Sequence, residues 1–308
     1  MLSQDTELEG LLDRIPVVAG LPRSVVELPG GLTNQNLHVT TAGPSGGDYV
    51  VRRFRGDADL LGIDRDAEHA NTVAAAEAGV GAPVVCYLPE LAVLVIEYVD
   101  GVTYDNATFH RPGVVPRVAR AIRTLHEGPR FLGDFDMFTR QERYLRTVAD
   151  QGFPLFDGYH RYQEAFHRVR SALAARAEPT VPCNNDLLAG NFLDDGAKLW
   201  LIDYEYSGNN DACFELGNTS TECDLDDEQV EELVATYFGE PLRGKLARVR
   251  LQALVSAYGW SLWGAIQAAA SALDFDFTTW GQERFEKAAR GFTADGFDTL
   301  LDEAQRDD

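Results

Sequence analysis

A chain of 308 residues, 45% hydrophobic and 10% aromatic, is long enough for one large domain or two lobes and too apolar to be disordered. Its formal net charge of -22, from 27 basic against 49 acidic side chains, argues against nucleic acid as a partner, and on charge alone it suits plain solubility better than a small cationic ligand. The four cysteines form no CxxC pair, no apolar run approaches the roughly 18 residues of a membrane span, and MLSQDTELEGLLDRIP lacks a basic region followed by an apolar one, so a reduced, cytoplasmic protein without membrane insertion is expected.

The first hundred residues alternate strand and helix signals. VVELPGGLTNQNLHVTT reads as a strand, a glycine turn and a returning strand, and GDYVVRRFRG as a third strand. IDRDAEHANTVAAAEAGVG follows as an alanine-rich helix closed by Gly79 and Gly81. PVVCYLPELAVLVIEYVDG supplies two more strands around Pro89 and ends at a hinge from Glu97 to Gly101. Residues 1–99 are thus expected to form a small lobe built on a five-stranded antiparallel sheet. From Asp105 onward the pattern is mainly helical, broken only between Val181 and Tyr206, so residues 100–308 are expected to form a larger helical lobe. The fold class is α+β with two lobes.

VPCNNDLLAGNFLDDGAKLWLIDYEY, the interrupting stretch, places aspartates at the ends of apolar segments, where an unpartnered carboxylate would be costly. Asp186 begins a loop, Asn191 leads into the strand NFLDD, Gly196 reverses the chain, and KLWLID returns Asp203 to the side of Asn191. A carboxylate and an amide oxygen that converge suit a hard divalent cation. Asp186 is left to accept a proton from a substrate hydroxyl, the arrangement phosphoryl transfer needs. Singly, either aspartate reads better as a turn or cap, and the joint pattern reverses that. In PGGLTNQNLHV, Gly31, Thr33, Asn34 and Asn36 are able to lie over phosphates, although the same stretch reads as a plain hairpin turn. Trp260 and Trp263 share one face of the helix in LVSAYGWSLWGAIQAAAS, a spacing that is also common in cores.

NDLLAGNFLDDGAKLWLIDYEYSGNNDACFELGN resembles the catalytic and metal-binding segment of the choline/ethanolamine kinase family, aminoglycoside-phosphotransferase-like enzymes with a protein-kinase-like fold. GGLTNQNLHV resembles that family's phosphate-covering loop and YGWSLWGAIQA its tryptophan-bearing helix, so the likeness runs from about Pro29 to Phe285. The resemblance implies that Asp186 is the catalytic base and that Asn191 and Asp203 hold Mg2+. It implies that Gly31, Thr33, Asn34 and Asn36 cover the phosphates of ATP, with Arg53 of the third strand gripping them and Glu68 as its helix partner. Arg52 would then face the other side of the sheet. Adenine would lie against the hinge near Glu97 and Val99. Tyr206, Glu222, Trp260 and Trp263 would line a pocket for a small cationic amino alcohol, where cation–π attraction is worth about 0.5–2 kcal/mol.

One position departs from the family pattern: Asn184 stands where a histidine usually precedes Asn-Asp. The implied reaction is phosphorylation of choline to phosphocholine by ATP. The alternatives are an ethanolamine kinase, another amino-alcohol or aminoglycoside phosphotransferase, and a non-catalytic nucleotide-binding scaffold. Oligomeric state stays open, a homodimer included.

Overall fold

The protein is described by a computed structural model that covers residues 2–29, 31–44, 46–55 and 58–306; Gly30 of the glycine turn lies outside the described residues. The first region contains α1 (Leu2–Leu12), β1 (Arg23–Leu28), β2 (Asn34–Thr41), β3 (Asp48–Phe54), α2 (Ala58–Leu61), α3 (Arg65–Glu77), β4 (Val84–Leu88) and β5 (Val93–Glu97). The strands form the expected five-stranded antiparallel sheet, in the order β1-β2-β3-β5-β4.

Period-two alternation puts Leu37, Val39, Val51, Val93 and Val95 on one face. That face is covered by Leu12 of α1 and by Ile15 and Val18 just beyond it. Helix α1 has no counterpart in the sequence reading, and it decides which sheet face stays open toward the rest of the molecule. On the other side, α3 starts at Asp64, whose side chain accepts from the amides of Asp66 and Ala67, with Asp66 and Glu68 in the favoured acidic first turn.

The larger region comprises β6 (Val102–Thr103), α4 (Asn106–Phe109), α5 (Val114–His126), α6 (Met137–Gln151), α7 (Gln163–Ala175), β7 (Thr180–Cys183), β8 (Phe192–Asp194), β9 (Leu199–Leu201), β10 (Gly208–Asp211), α8 (Ala212–Glu222), α9 (Asp227–Phe238), α10 (Arg243–Ala270), α11 (Phe277–Phe292) and α12 (Phe297–Glu303). Helix α10, 28 residues long, is buried over most of its length and runs through the core, where Val255, Tyr258, Leu262 and Ile266 are fully buried. Helices α6, α8 and α11 pack around it. No helix among the described residues is long and apolar enough to cross a membrane.

Between the helices lies the expected hairpin. Strands β8 and β9 pair antiparallel across a turn in which Gly196 has φ 87°, the left-handed region that glycine adopts without strain. Strand β6 pairs with β8, and β7 with β10, so the loop after β7 is held from both sides.

Candidate active site

The loop that follows β7 is built from buried polar groups that satisfy one another. Glu215 of α8, with no exposed surface, accepts the backbone amides of Asn184 at 2.8 Å and Asn185 at 2.6 Å. Asn185 takes a left-handed backbone with φ 68°, a conformation asparagine tolerates better than most residues. Its side-chain amide donates to the carbonyls of Cys183, Tyr206 and Gly208. Asn184 joins the two acids: its Oδ1 accepts the Asp186 amide at 3.1 Å, and its Nδ2 donates to the Asp203 carbonyl at 2.8 Å. The residue that departs from the family pattern therefore braces the loop. Behind it stand His126 and Cys183, both buried, with His126 Nε2 at 3.8 Å from Glu215 Oε1.

Asn191 lies at the foot of β8. Its Nδ2 donates to the Asp186 carbonyl at 2.7 Å, which turns its Oδ1 away from that contact, and its own carbonyl accepts the Ile202 amide at 3.0 Å. Asp203 follows Ile202 in a left-handed conformation with φ 65°. The hairpin thus brings Asp186, Asn191 and Asp203 into one neighbourhood. Burial raises the proton affinity of Asp186 well above the usual carboxylate range, and the negative charges of Glu222, Asp203 and Glu205 add to the effect. Acids that crowd one another in this way, alongside an amide oxygen, form an all-oxygen donor set that fits a hard divalent cation.

The structure corrects the expectation for Arg53. Arg52, not Arg53, points into the cleft, with Nε at 3.1 Å from Glu68 Oε1 and Nη2 at 2.5 Å from Asp203 Oδ1 and 3.3 Å from Glu205 Oε2. Arg53 shares the face of Val51 and pairs with Glu7 of α1 at 2.6 Å. The reason is strand parity: once α1 covers the Leu37–Val39–Val51 face, only the even-numbered residues of β3 look into the cleft.

Glu205, missed in the sequence reading, is the hub that joins the sheet to the hairpin. Thr33 Oγ1 lies at 2.8 Å from both of its oxygens, Asn34 Nδ2 donates at 2.9 Å, and Arg65 approaches at 3.4 Å while also pairing with Glu68 at 2.6 Å. Desolvation and the neighbouring Asp203 push Glu205 up to about 7. The only local hint was an acid in the apolar run IDYEY, two residues past Asp203. Asn36 lies on the Arg52 side of the sheet and pairs with it across β2 and β3. A Cβ on Gly31 would collide with the Asn34 carbonyl, so this tight turn requires glycine. At the hinge, the Glu97 amide donates to Pro83 within the sheet at 2.9 Å, and Val99 follows where the chain leaves β5.

Tyr206, Trp260 and Trp263 do come together, but as packed core, each no more than 5% exposed. Trp263 Nε1 donates to Tyr206 Oη at 2.8 Å, the Tyr206 and Trp260 rings meet edge-on at 4.8 Å, and Trp263 lies 5.1 Å from Trp280 of α11. Trp260 Nε1 is buried and finds no hydrogen-bond partner among the described residues. Both Glu222 oxygens are engaged by Arg284 of α11, a residue the sequence reading did not single out. A cavity of about 350 Å³ opens between Gly31–Asn34 and the end of α10 at Gln267, one turn beyond Trp263.

Residues 24–251 match the model of the phosphotransferase enzyme family. The chain is 26% identical to Ethanolamine kinase 2 of Rattus norvegicus over 78% of this chain and 69% of that protein. It is 27% identical to Choline/ethanolamine kinase of Homo sapiens, but the match covers only 49% of each. Among solved structures, a choline/ethanolamine kinase family protein from Mesorhizobium loti is 33% identical with a TM-score of 0.85, over 98% of this chain and 99% of that one.

Proposed function

The chain belongs to the choline/ethanolamine kinase family of phosphotransferases, and on that premise we propose that it transfers the γ-phosphoryl group of ATP to the hydroxyl of choline, giving phosphocholine and ADP. The observation that carries the reading is the gathering of Asp186, Asn191 and Asp203 on one braced hairpin, with Arg52 and Glu205 tying it to the sheet.

In this reading Asp186 accepts the hydroxyl proton as the oxygen attacks. Its backbone amide is held by Asn184 Oδ1 and its carbonyl by Asn191 Nδ2, which positions the carboxylate for that role. Asn191 Oδ1 and the Asp203 carboxylate would hold Mg2+, which when bound neutralises charge on the phosphates. Arg52 takes the phosphate-gripping role first expected of Arg53, with Glu68 orienting it. Gly31, Thr33, Asn34 and Asn36 cover the phosphates, and adenine sits at the Glu97–Val99 hinge. Residues 1–99 act as the nucleotide lobe and residues 100–308 as the catalytic lobe of a cytoplasmic enzyme. Tyr206, Trp260, Trp263 and Glu222 wall the amine pocket.

Ethanolamine is the second reading. The near-complete burial of the three rings leaves less open aromatic face for a quaternary ammonium than their sequence positions imply, which favours a primary ammonium that donates to acceptors.

Steady-state kinetics on both alcohols, with coupled ADP detection, tests the proposal. The expected result is a kcat/KM about tenfold higher for choline, the effect of about 1.4 kcal/mol of extra cage attraction. Asp186→Asn should lose about 10²- to 10⁴-fold in turnover while calorimetry shows Mg-ATP binding retained. A mutant with more than about half the wild-type rate overturns the base assignment. Equal efficiencies, or an ethanolamine preference that survives Trp260→Ala and Trp263→Ala, overturn the choline assignment.

A further inference from the structure

Glu222 is the acid that the amine-pocket reading leaves for the substrate cation, yet it already has one. Arg284 Nε donates to Glu222 Oε1 at 3.0 Å and its Nη2 engages Oε2, so the carboxylate is held by a two-pronged guanidinium contact. The same guanidinium lies over the Trp280 ring, 3.3 Å from its centroid. Trp280 in turn packs against Trp263. A carboxylate beside an aromatic face is the environment that recognises a small organic cation, and a side chain of the protein fills it. The Glu222 side chain is 2% exposed and that of Arg284 17%, so a second cation has no room at the acid while Arg284 stays.

Within its own helix Arg284 also donates from Nη1 to the Trp280 carbonyl at 3.2 Å, and it lies at the exposed edge of the pair.

We infer that Arg284 is an affinity-setting gate, a tethered cation that occupies the amine subsite and leaves Glu222 when a substrate ammonium takes its place. The inference rests on the amine-pocket reading of Glu222. Opening the pair carries the same cost whichever ammonium follows. Substrate affinity is therefore reduced by the fraction of time the gate stands open, equally for quaternary and primary amines.

The test compares wild type, Arg284→Met and Arg284→Lys, each checked by thermal melting, for KM, kcat and the calorimetric Kd of choline and of ethanolamine with Mg-ATP present. Arg284→Met keeps an apolar stem over Trp280 but removes the resident charge. Its KM and Kd should fall for both amines by the same factor, about tenfold for a gate open about one-tenth of the time, with kcat within about twofold. Arg284→Lys, with one donor nitrogen in place of a fork, should lie between, and it carries the test if the methionine variant does not fold. Methylguanidinium should compete with the amine in Arg284→Met and leave the wild type unaffected at the same concentration. An unchanged or raised KM in both variants, or a loss confined to kcat and melting temperature, makes the pair a structural tie between α8 and α11 and overturns the gate alone. Absence of turnover of either amine by the wild type sinks the amine-pocket reading, and the gate with it.

Discussion

A strand guanidinium serves only the face it points to, so Arg52 and Arg53, adjacent in sequence, should behave as different residues. Burial by itself would weaken the proton affinity of Arg52, but Asp203, Glu68 and Glu205 outweigh it and hold the side chain fully charged. Arg52→Ala would leave those acids without their central partner, at a cost of about 3–5 kcal/mol for a broken buried pair. It should also weaken Mg-ATP binding. Arg53 pairs with Glu7, whose side chain is 66% exposed, so Arg53→Ala should shift stability by no more than about 0.5 kcal/mol and leave nucleotide affinity unchanged. Denaturant unfolding and Mg-ATP calorimetry on the two single mutants check this. A larger loss from Arg53 would return the phosphate role to it.

Two contacts between elements lend themselves to the same treatment. Helices α8 and α10 cross so closely at Gly217 that an added Cβ would lie 2.6 Å from the Ala253 amide and 2.7 Å from the Val249 carbonyl. These are backbone atoms of a central helix and cannot swing aside, so Gly217→Ala should destabilise by about 1–3 kcal/mol. A melting temperature equal to that of wild type would show that the helices separate freely. The hairpin is clamped to α5 by Arg117, whose two terminal nitrogens meet Asp194 at 2.5 and 2.9 Å, while Tyr104 Oη donates at 2.9 Å. The Arg117 bonds hold Asp194 well below the usual carboxylate range. Because the folded state depresses this pKa, the stabilisation is present above the unfolded value of about 4 and is lost as the pH falls below it. Arg117 is 36% exposed, so solvent screening limits the effect to about 0.5–1 kcal/mol at neutral pH. Asp194→Asn should lower unfolding free energy by that amount at pH ~7, and the gap from wild type should narrow below pH ~4. A gap that stays constant with pH would mean that the charge is not what matters.

For the molecule as a whole, 49 acidic against 27 basic side chains create a negative field, which in the proposed reaction would attract the cationic amine. At about 0.1 M salt the screening length is only about 10 Å, so this long-range attraction fades quickly as ions are added. The amine kcat/KM should fall about threefold between roughly 0.05 and 0.5 M NaCl, with kcat much less affected. A flat salt profile would assign the acidic surface to solubility alone. The two regions meet where Thr33, Asn34, Arg52 and Arg65 converge on Glu205, so one buried carboxylate couples the Gly31–Asn34 turn, the sheet and the hairpin that carries Asn191.

The sequence by itself determined whatever depends on neighbours along the chain. Alternating apolar residues and glycine turns specified the five-stranded sheet, and the spacing of Asp186, Asn191 and Asp203 around the Gly196 reversal specified the hairpin. Only the tertiary structure decided which arginine faces the cleft, because that follows from the face α1 covers, and α1 shows no strong local signal. Periodicity placed Trp260 and Trp263 on one side of α10 but could not distinguish a core side from an open one. The partners of Glu205 lie up to 172 residues away, and Arg284 lies 62 residues from Glu222. Charges pair through space once the helices and lobes have closed, so no local pattern marks in advance which acid will meet which base.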